Sequence, residues 1–178
     1  MTVIFRIFTT FLAFCGSSFT YADSPLPAQQ SYVQTSPDGT CMAYVNLETL
    51  ETILAPHYLL IGENGEASKH WRVKGWHRWV HVADNCDYVV IGYGGYNLLS
   101  LSQKDKNSTV ITYINRSGLT KTLKLVDLYS NLDVLPRTVS HWAWYEQVLW
   151  DKNVLMLSTV DNRKMKFEVP DDFIATPN

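Results

Sequence analysis

The feature that most constrains the fold of this 178-residue chain is a tight, aspartate-led turn that recurs between short apolar stretches. An Asp followed by Gly or Asn accepts the positive φ angles that tight hairpin turns require. The flanking stretches are rich in Val, Ile, Tyr, Trp and Thr, which favour strands. The repetition therefore predicts three β-hairpins. They span residues 31–45, 78–93 and 144–160, and they turn at Pro37-Asp38-Gly39, Asp84-Asn85 and Asp151-Lys152-Asn153.

Further strands are predicted after each of the three hairpins. Two strand pairs are predicted, 58–62 with 69–74 and 109–115 with 119–126. A last strand is predicted at 164–169, where Met, Phe and Val share one face and three charges share the other. Residues 47–57 and 94–108 are predicted to be connections, and the first is compatible with a helical turn. A second helical turn is expected at 127–132.

The predicted fold is all-β, with two four-stranded meanders and one three-stranded antiparallel meander in series. The stretch SPDGTCMAYV, residues 36–45, resembles the Ser-Pro-Asp-Gly turn and following strand of TolB-type β-propeller repeats. This resemblance implies that each meander is similar to a propeller blade. Propellers close with 4–8 blades, and this chain supplies about three units, so the resemblance implies an incomplete or degenerate propeller. A twisted β-sandwich of two sheets is the alternative for the same strands.

The first 22 residues have the features of a secretory signal peptide. Arg6 precedes a short apolar run, and small and polar residues then lead to a predicted cleavage site after Ala22. A lipoprotein anchor is a second interpretation, because the residues around Cys15 resemble a bacterial lipobox. We therefore predict a secreted or periplasmic protein. No later stretch is long and apolar enough to span a membrane after cleavage.

Signal-peptide removal leaves two of the three cysteines, Cys41 and Cys86. In an oxidising compartment such an even pair usually forms a disulfide. Two buried thiols that act as small hydrophobic side chains are the alternative. The pattern favours a disulfide that joins neighbouring meanders, with each cysteine just inside the strand that follows its turn.

The rest of the chain is predicted to form one domain. Residues 23–30 contain two prolines and are expected to be a flexible lead-in, residues 31–170 a single β domain, and residues 171–178 a C-terminal tail. Without Arg6, 14 basic residues face 17 acidic ones, which gives a net charge of −3. The two signs alternate along the chain, so the basic footprint of a nucleic-acid-binding protein is missing.

Tryptophan and histidine are concentrated in two passages, HWRVKGWHRWVHV at 70–82 and HWAWYEQVLW at 141–150. On strands, alternate residues of these passages share a face. Such faces predict an aromatic platform for a sugar or a peptide, with imidazole groups and Arg78 as polar partners. The alternative is that these aromatic residues fill the core and pair across strands. The candidate binding residues are Trp71, His77, Trp79, His81, Trp142 and Trp144.

Catalytic and metal-binding motifs are missing from the sequence. It contains no Gly-x-Ser-x-Gly, no His-Glu-x-x-His and no Cys-x-x-Cys. Ser140 and His141 are adjacent, and within a strand they are expected on opposite faces. We therefore predict no enzyme activity, no cofactor and no metal. The predicted function is that of an exported, non-catalytic β-repeat module that binds a protein or peptide partner or self-associates. A small-ligand or carbohydrate binder that uses the Trp- and His-rich strands is the alternative.

Overall fold

The computed structural model describes residues 25–57, 70–151 and 153–169. The predicted signal peptide, the predicted strand 58–62 and the C-terminal tail lie outside the described residues. The described residues form four antiparallel sheets. The all-β class and the serial antiparallel meanders are thereby confirmed, and this part of the chain closes neither a barrel nor a propeller. Among the residues described, no helix has the length and apolar character needed to cross a bilayer.

The first sheet is a four-stranded meander in the order β1-β2-β3-β4. Its strands are Tyr32–Thr35 (β1), Cys41–Asn46 (β2), Glu51–Pro56 (β3) and Trp71–Lys74 (β4). The predicted hairpin of β1 and β2 is confirmed. The prediction of a connection at 47–57 is wrong, because β3 pairs with β2 along its whole length. Leu, Glu and Ala favour helix locally, but Thr52 and Leu54 point inward and are buried, and pairing outweighs that preference.

The second sheet is also four-stranded, in the order β5-β6-β8-β9. Its strands are Val80–Val82 (β5), Tyr88–Gly92 (β6), Thr109–Asn115 (β8) and Thr120–Lys124 (β9). Between β6 and β8 the chain forms Leu98–Ser100 (β7), inside a segment predicted to be a connection. β7 pairs with His141–Ala143 (β10) in a separate two-stranded sheet. Three residues are too few to show a period of two, so this strand has no sequence signature.

The third sheet is the predicted three-stranded meander. It consists of Gln147–Asp151 (β11), Val154–Ser158 (β12) and Lys164–Glu168 (β13). A short helix, Leu125–Leu128 (α1), follows β9, and single 3-10 turns lie at Leu101–Gln103 and Leu132–Val134. The helical turn predicted at 127–132 thus begins earlier. The Asp127 carboxylate accepts a hydrogen bond from the Lys124 amide at 2.8 Å, which places the helix start before Asp127.

The second sheet lies between two hydrophobic clusters, and its strand β6 is buried on both faces. In β6, Val89 and Ile91 face the first sheet, whereas Tyr88 and Val90 face the rest of the chain. We call the cluster of buried side chains between the first and second sheets the disulfide cluster: Cys41, Ala43, Val45, Leu54, Val73, Val80, Val82, Cys86, Val89 and Ile91. We call the cluster on the other side of β6 the main core: Trp79, Ala83, Tyr88, Val90, Leu99, Val110, Ile111, Tyr113, Leu125, Leu128, Tyr129, Leu132, Leu135, Trp144, Tyr145, Leu155, Leu157 and Val169. Burial on both faces explains why β6 reads as an unbroken apolar run.

Cys41 and Cys86 lie at disulfide distance, with their Cα atoms 5.4 Å apart, as predicted. Cys41 is the first residue of β2, but Cys86 lies in the turn before β6 and has a φ of 59°. The prediction that both cysteines lie inside their strands is therefore wrong for Cys86. The turn must tighten at that residue, because the Cys86 amide donates to the Ala83 carbonyl at 3.0 Å.

The turns before β2 and before β6 have the same hydrogen-bond pattern, and this pattern recurs in the third sheet. It recurs between β12 and β13, and not between β11 and β12, where the repetition of Asp-led turns predicts it. In each copy the residue before the turn accepts a hydrogen bond from within the turn, and its own amide donates to a carbonyl on the far side of the turn. The Ser36 amide donates to the Cys41 carbonyl at 2.8 Å, the Ala83 amide to the Tyr88 carbonyl at 3.2 Å, and the Thr159 amide to the Arg163 carbonyl at 2.9 Å. The first two turns also touch, because the Asp38 amide donates to the Asp84 carboxylate at 3.2 Å. The repeated turns thus lie at matching corners of the sheets, and the first two corners are joined.

We predict that the double substitution Cys41→Ala/Cys86→Ala destabilises the fold without changing its secondary structure. The bridge spans a sequence separation of 45 residues, and opening a loop of that size costs up to about 4 kcal/mol in the chain-entropy model. Equilibrium urea unfolding measures this loss, and a reductant should lower the stability of the wild type alone. Equal stability of wild type and variant, with no effect of reductant on either, would contradict a structural role for the bridge.

Candidate functional site

A cleft of about 400 Å³ lies between the edge strand of the first sheet and the edge strand of the second. β1 contributes Tyr32 and Gln34 to its wall, and β5 contributes Val80 and His81. The loop before β5 and the loop after β6 add the remaining side chains, which are Trp76, Arg78, Trp79 and Tyr96. Residues Pro27, Ala28 and Gln30, which precede β1, lie across this cleft and also line it.

Arg78 is the main cationic group of the cleft. Its guanidinium lies 5.1 Å from the ring centroid of Trp76 and 6.0 Å from that of Tyr96. Its Nη1 atom donates a hydrogen bond to the backbone carbonyl of Pro27. Arginine is positively charged at any physiological pH. Two aromatic rings therefore hold a permanent cation, with several N–H donors, at the mouth of the cleft.

Trp76 is the second donor to the same segment. Its indole Nε1 donates to the backbone carbonyl of Gln30 at 2.8 Å. In the same cleft the Tyr32 hydroxyl donates to the His77 carbonyl at 2.6 Å. Burial raises the pKa of the Tyr32 phenol, so it stays a neutral donor. The Trp76 indole and the Arg78 guanidinium, which lies 5.1 Å from the Trp76 ring centroid, thus both donate to the segment before β1.

The loop that carries Trp76 and Arg78 begins at a glycine that no other residue can replace without strain. Gly75 has a φ of 112°, and its amide donates to the Leu50 carbonyl at 2.7 Å. A Cβ atom here would lie 2.9 Å from the His77 ring. His77 in turn packs back on the chain, with Nε2 3.2 Å from the Lys74 carbonyl, and burial lowers its pKa. This local geometry directs Trp76 and Arg78 toward β1.

Tyr96 reaches the cleft through an unusual backbone conformation. Its φ is 56°, a region that non-glycine residues seldom adopt. The conformation is fixed by its neighbours, since the Tyr96 amide donates to the Tyr93 carbonyl and the Tyr96 carbonyl accepts from the buried Trp144 indole at 2.7 Å. Such outliers persist where the surroundings over-determine them, often at binding sites. Trp144 therefore supports the cleft from the core without lining it.

Trp79 and His81 form the base of the cleft. The Trp79 indole donates to His81 Nε2 at 2.9 Å, and the His81 ring stacks on Trp150 with centroids 5.8 Å apart. Because an indole N–H only donates, His81 Nε2 carries no proton, so the neutral imidazole holds its proton on Nδ1. Burial lowers the pKa of His81 to about 4. No described residue accepts a hydrogen bond from Nδ1, which leaves one N–H donor at the base.

The six residues predicted to form a binding platform do not come together as one surface. His77, Trp79 and His81 lie in or beside the cleft, but Trp79 belongs to the main core and Trp144 is fully buried. Trp71 packs against the disulfide cluster, and its indole donates to the Cys86 carbonyl at 2.7 Å. Trp142 lies elsewhere, with Lys104 Nζ 3.8 Å from its ring centroid. The core-filling alternative therefore describes Trp79 and Trp144.

Three aromatic residues of the cleft are absent from the predicted site: Tyr32, Trp76 and Tyr96. Trp76 shares the Trp- and His-rich passage with the predicted residues, and the glycine before it marks the turn that exposes it. Tyr32 lies at the start of the first predicted hairpin, and Tyr96 follows the second. No spacing rule links them to Trp76, because only the packing of the first two sheets brings β1, β5 and the loop after β6 together.

Possible metal ligands in the described residues do not converge, and one serine–histidine pair is in contact. No group of three or more His, Cys, Asp or Glu side chains converges anywhere in ranges 25–57, 70–151 and 153–169. Ser140 and His141 do meet, with Oγ and Nδ1 2.8 Å apart, so the expectation that they lie on opposite faces is wrong. Ser140 precedes β10 and is not part of it, which frees its side chain to turn toward the ring.

Comparisons with protein-family models, with curated proteins and with solved structures find no match to this chain.

We predict that the stability of the protein falls as the pH drops from 7 to 5, and that His81→Gln flattens this dependence. The lowered pKa of His81 means that the unfolded chain, with a histidine pKa of about 6.5, takes up the proton first. Over this range the difference amounts to about 2 kcal/mol. Urea unfolding at both pH values measures it, and His77, whose pKa is also lowered, leaves a residual slope. An equally steep loss in His81→Gln and in a His57→Gln control would contradict the burial of His81.

Gly92 makes room for Trp79, and we predict that Gly92→Ala is strongly destabilising. A Cβ atom on Gly92 would lie 0.9 Å from Cε3 of the Trp79 ring, so the indole must leave its place. Overpacking of this kind costs on the order of 3 kcal/mol. The matched control is Gly94→Ala, because a Cβ atom there meets nothing within 4 Å. Denaturant unfolding followed by tryptophan fluorescence compares them, and similar stabilities of the two variants would contradict the position of Trp79.

Proposed function

We propose that this protein is a non-catalytic interaction module that binds an extended segment of a partner protein or peptide in the cleft between β1 and β5. The observation that carries this proposal is the way the cleft holds residues 27–30. Both hydrogen bonds from the cleft go to backbone carbonyls, from Arg78 to Pro27 and from Trp76 to Gln30. Donors that address the backbone suit extended chains of many sequences, as in other modes of peptide recognition.

The electrostatics of the cleft support a backbone ligand. Its donors are a guanidinium, an indole and the Nδ1–H of His81, and burial, which lowers the pKa of His81 to about 4, keeps that imidazole neutral at pH 7. Peptide carbonyls are acceptors that offer no competing charge. The aromatic rings of Tyr32, Trp76 and Tyr96 add apolar contact area beside these donors. A ligand with regularly placed carbonyls and short side chains fits this combination.

The sheet edges add a second means of holding such a segment. β1 is the outermost strand of its sheet and β5 the outermost strand of the next, so each presents unpaired backbone groups. Edge strands are commonly extended by a strand from another chain. A partner segment lying in the cleft runs beside both edges.

The site of action is proposed to be outside the cytoplasm. The cysteine pair at disulfide distance and the predicted signal peptide both support secretion or a periplasmic location. A repeated blade-like architecture, as the TolB resemblance of residues 36–45 implies, suits a binding scaffold with no catalytic group.

A small ligand, such as a carbohydrate, is the second candidate, because the cleft volume of about 400 Å³ is that of a small-molecule site. Aromatic faces beside polar groups suit sugars as well as peptides. Isothermal titration with a panel of oligosaccharides distinguishes the two candidates. Saturable heat with a sugar, together with no binding of peptides, favours the small ligand.

We predict that Arg78→Ala weakens the binding of extended peptides at least tenfold. The probes are unstructured peptides selected by display on the wild-type protein, with affinities measured by fluorescence anisotropy. Loss of one charged donor to a carbonyl costs about 1.5–3 kcal/mol. The matched control is Arg72→Ala on β4, which removes a surface cation that pairs with Glu51 outside the cleft. Failure to select any binding peptide, or equal affinities for both variants, would contradict the proposed function.

A further inference from the structure

We infer that the ligand of the cleft is a proline-containing segment of polyproline II type, and that residues 25–30 are an internal copy of it that a partner must displace. This inference rests on the proposed function. It adds the chemical class of the segment and the regulation of the site. The observations that carry it are the spacing of the two bound carbonyls, the sequence of the bound segment and the exposure of its hydrogen bonds.

The two carbonyls held by the cleft are three residues apart, at Pro27 and Gln30. A polyproline II helix has three residues per turn and rises about 3.1 Å per residue. Carbonyls i and i+3 therefore point in the same direction, about 9 Å apart. An α-helix turns every 3.6 residues and uses its carbonyls internally, and a strand points successive carbonyls to opposite sides. The spacing thus matches the polyproline II repeat.

The bound segment has the composition of such a helix. It reads Pro-Leu-Pro-Ala-Gln-Gln over residues 25–30, and it carries no strand or helix of its own. Proline fixes φ near the polyproline II value and leaves the backbone carbonyls free to accept bonds from outside. The walls of the cleft are aromatic, as in other sites that bind polyproline II segments. Trp76 supplies both a ring and a donor, which is the pairing such ligands need.

The internal segment is hydrogen-bonded to the cleft at an exposed rim. Both hydrogen bonds are solvent-exposed, and Leu26 remains 42% exposed. A second segment that offers carbonyls at the same spacing can take over both donors, so the internal segment is replaceable. The tether nevertheless keeps the internal segment at an effective concentration on the order of millimolar. A partner with a weak affinity for the cleft is therefore excluded until the internal segment is released.

The test compares two peptides on the whole protein and two of its variants. The peptides are fluorescein-labelled DSPLPAQQ, which copies residues 23–30, and DSGLGAQQ, in which glycine replaces both prolines. The variant Pro25→Gly/Pro27→Gly keeps every carbonyl of the internal segment but removes its preference for polyproline II. The matched control Gln29→Gly adds a glycine to the same segment and keeps both prolines. Circular dichroism establishes that all three proteins are folded.

We expect DSPLPAQQ to bind the double variant about tenfold more tightly than it binds the wild type, with Gln29→Gly within about twofold of the wild type. DSGLGAQQ should bind the double variant at least tenfold more weakly than DSPLPAQQ. Equal affinities of the two peptides would overturn the ligand class. Equal affinities of DSPLPAQQ for the wild type and the double variant would overturn the internal competitor.

These results also separate the inference from the proposed function. If display-selected peptides bind in an Arg78-dependent way but DSPLPAQQ does not bind the double variant, the inference is overturned and the proposed function stands. If neither kind of peptide binds any of the proteins, both are overturned.

Discussion

The burial of strand β6 on both of its faces is the constraint on which the rest of the structure depends. Val89 and Ile91 of β6 pack on the first sheet, and Tyr88 and Val90 pack into the main core. A strand buried in this way cannot slip by one residue without exchanging its two faces. The register of β5 and β8 beside it is fixed for the same reason. The cleft borders β5, so its base inherits this rigidity.

The joined turns fix the relation between the first two sheets. Cys41 begins β2, and Cys86 lies in the turn before β6, where it bonds across the same corner at which Asp38 meets Asp84. The Thr40 hydroxyl and amide hold the pKa of Asp38 at about 2, so this carboxylate is charged throughout the physiological range. Since β1 and β5 are the facing edges of the joined sheets, the corner also sets the width of the cleft between them.

How much of the molecule the sequence predicts depends on whether the signal is local. Asp-led turns and the alternation in β13 are local signals, and they predict the all-β class and the meanders. The even number of cysteines left after signal-peptide removal predicts the bridge. β3 is not predicted because its residues favour helix locally, and β7 is not predicted because it has only three residues. The cleft is harder to predict than the strands. Trp76 and Arg78 lie in a passage rich in Trp and His, but Tyr32, Tyr96 and the segment held by the cleft lie elsewhere in the sequence. Only the packing of the sheets brings them together.

Two donors, Arg78 and Trp76, hold extended backbone in the cleft, and the indole N–H of Trp76 can be followed directly by NMR. Two-dimensional ¹⁵N–¹H spectra resolve the side-chain N–H of each tryptophan during titration with a display-selected peptide. The indole of Trp71 donates to the Cys86 carbonyl, outside the lining of the cleft, and serves as the internal reference. We predict that the Trp76 resonance shifts most and saturates with the peptide. A Trp76 resonance that stays in place when the peptide is saturating, whether or not the Trp71 resonance moves, would contradict binding in the cleft.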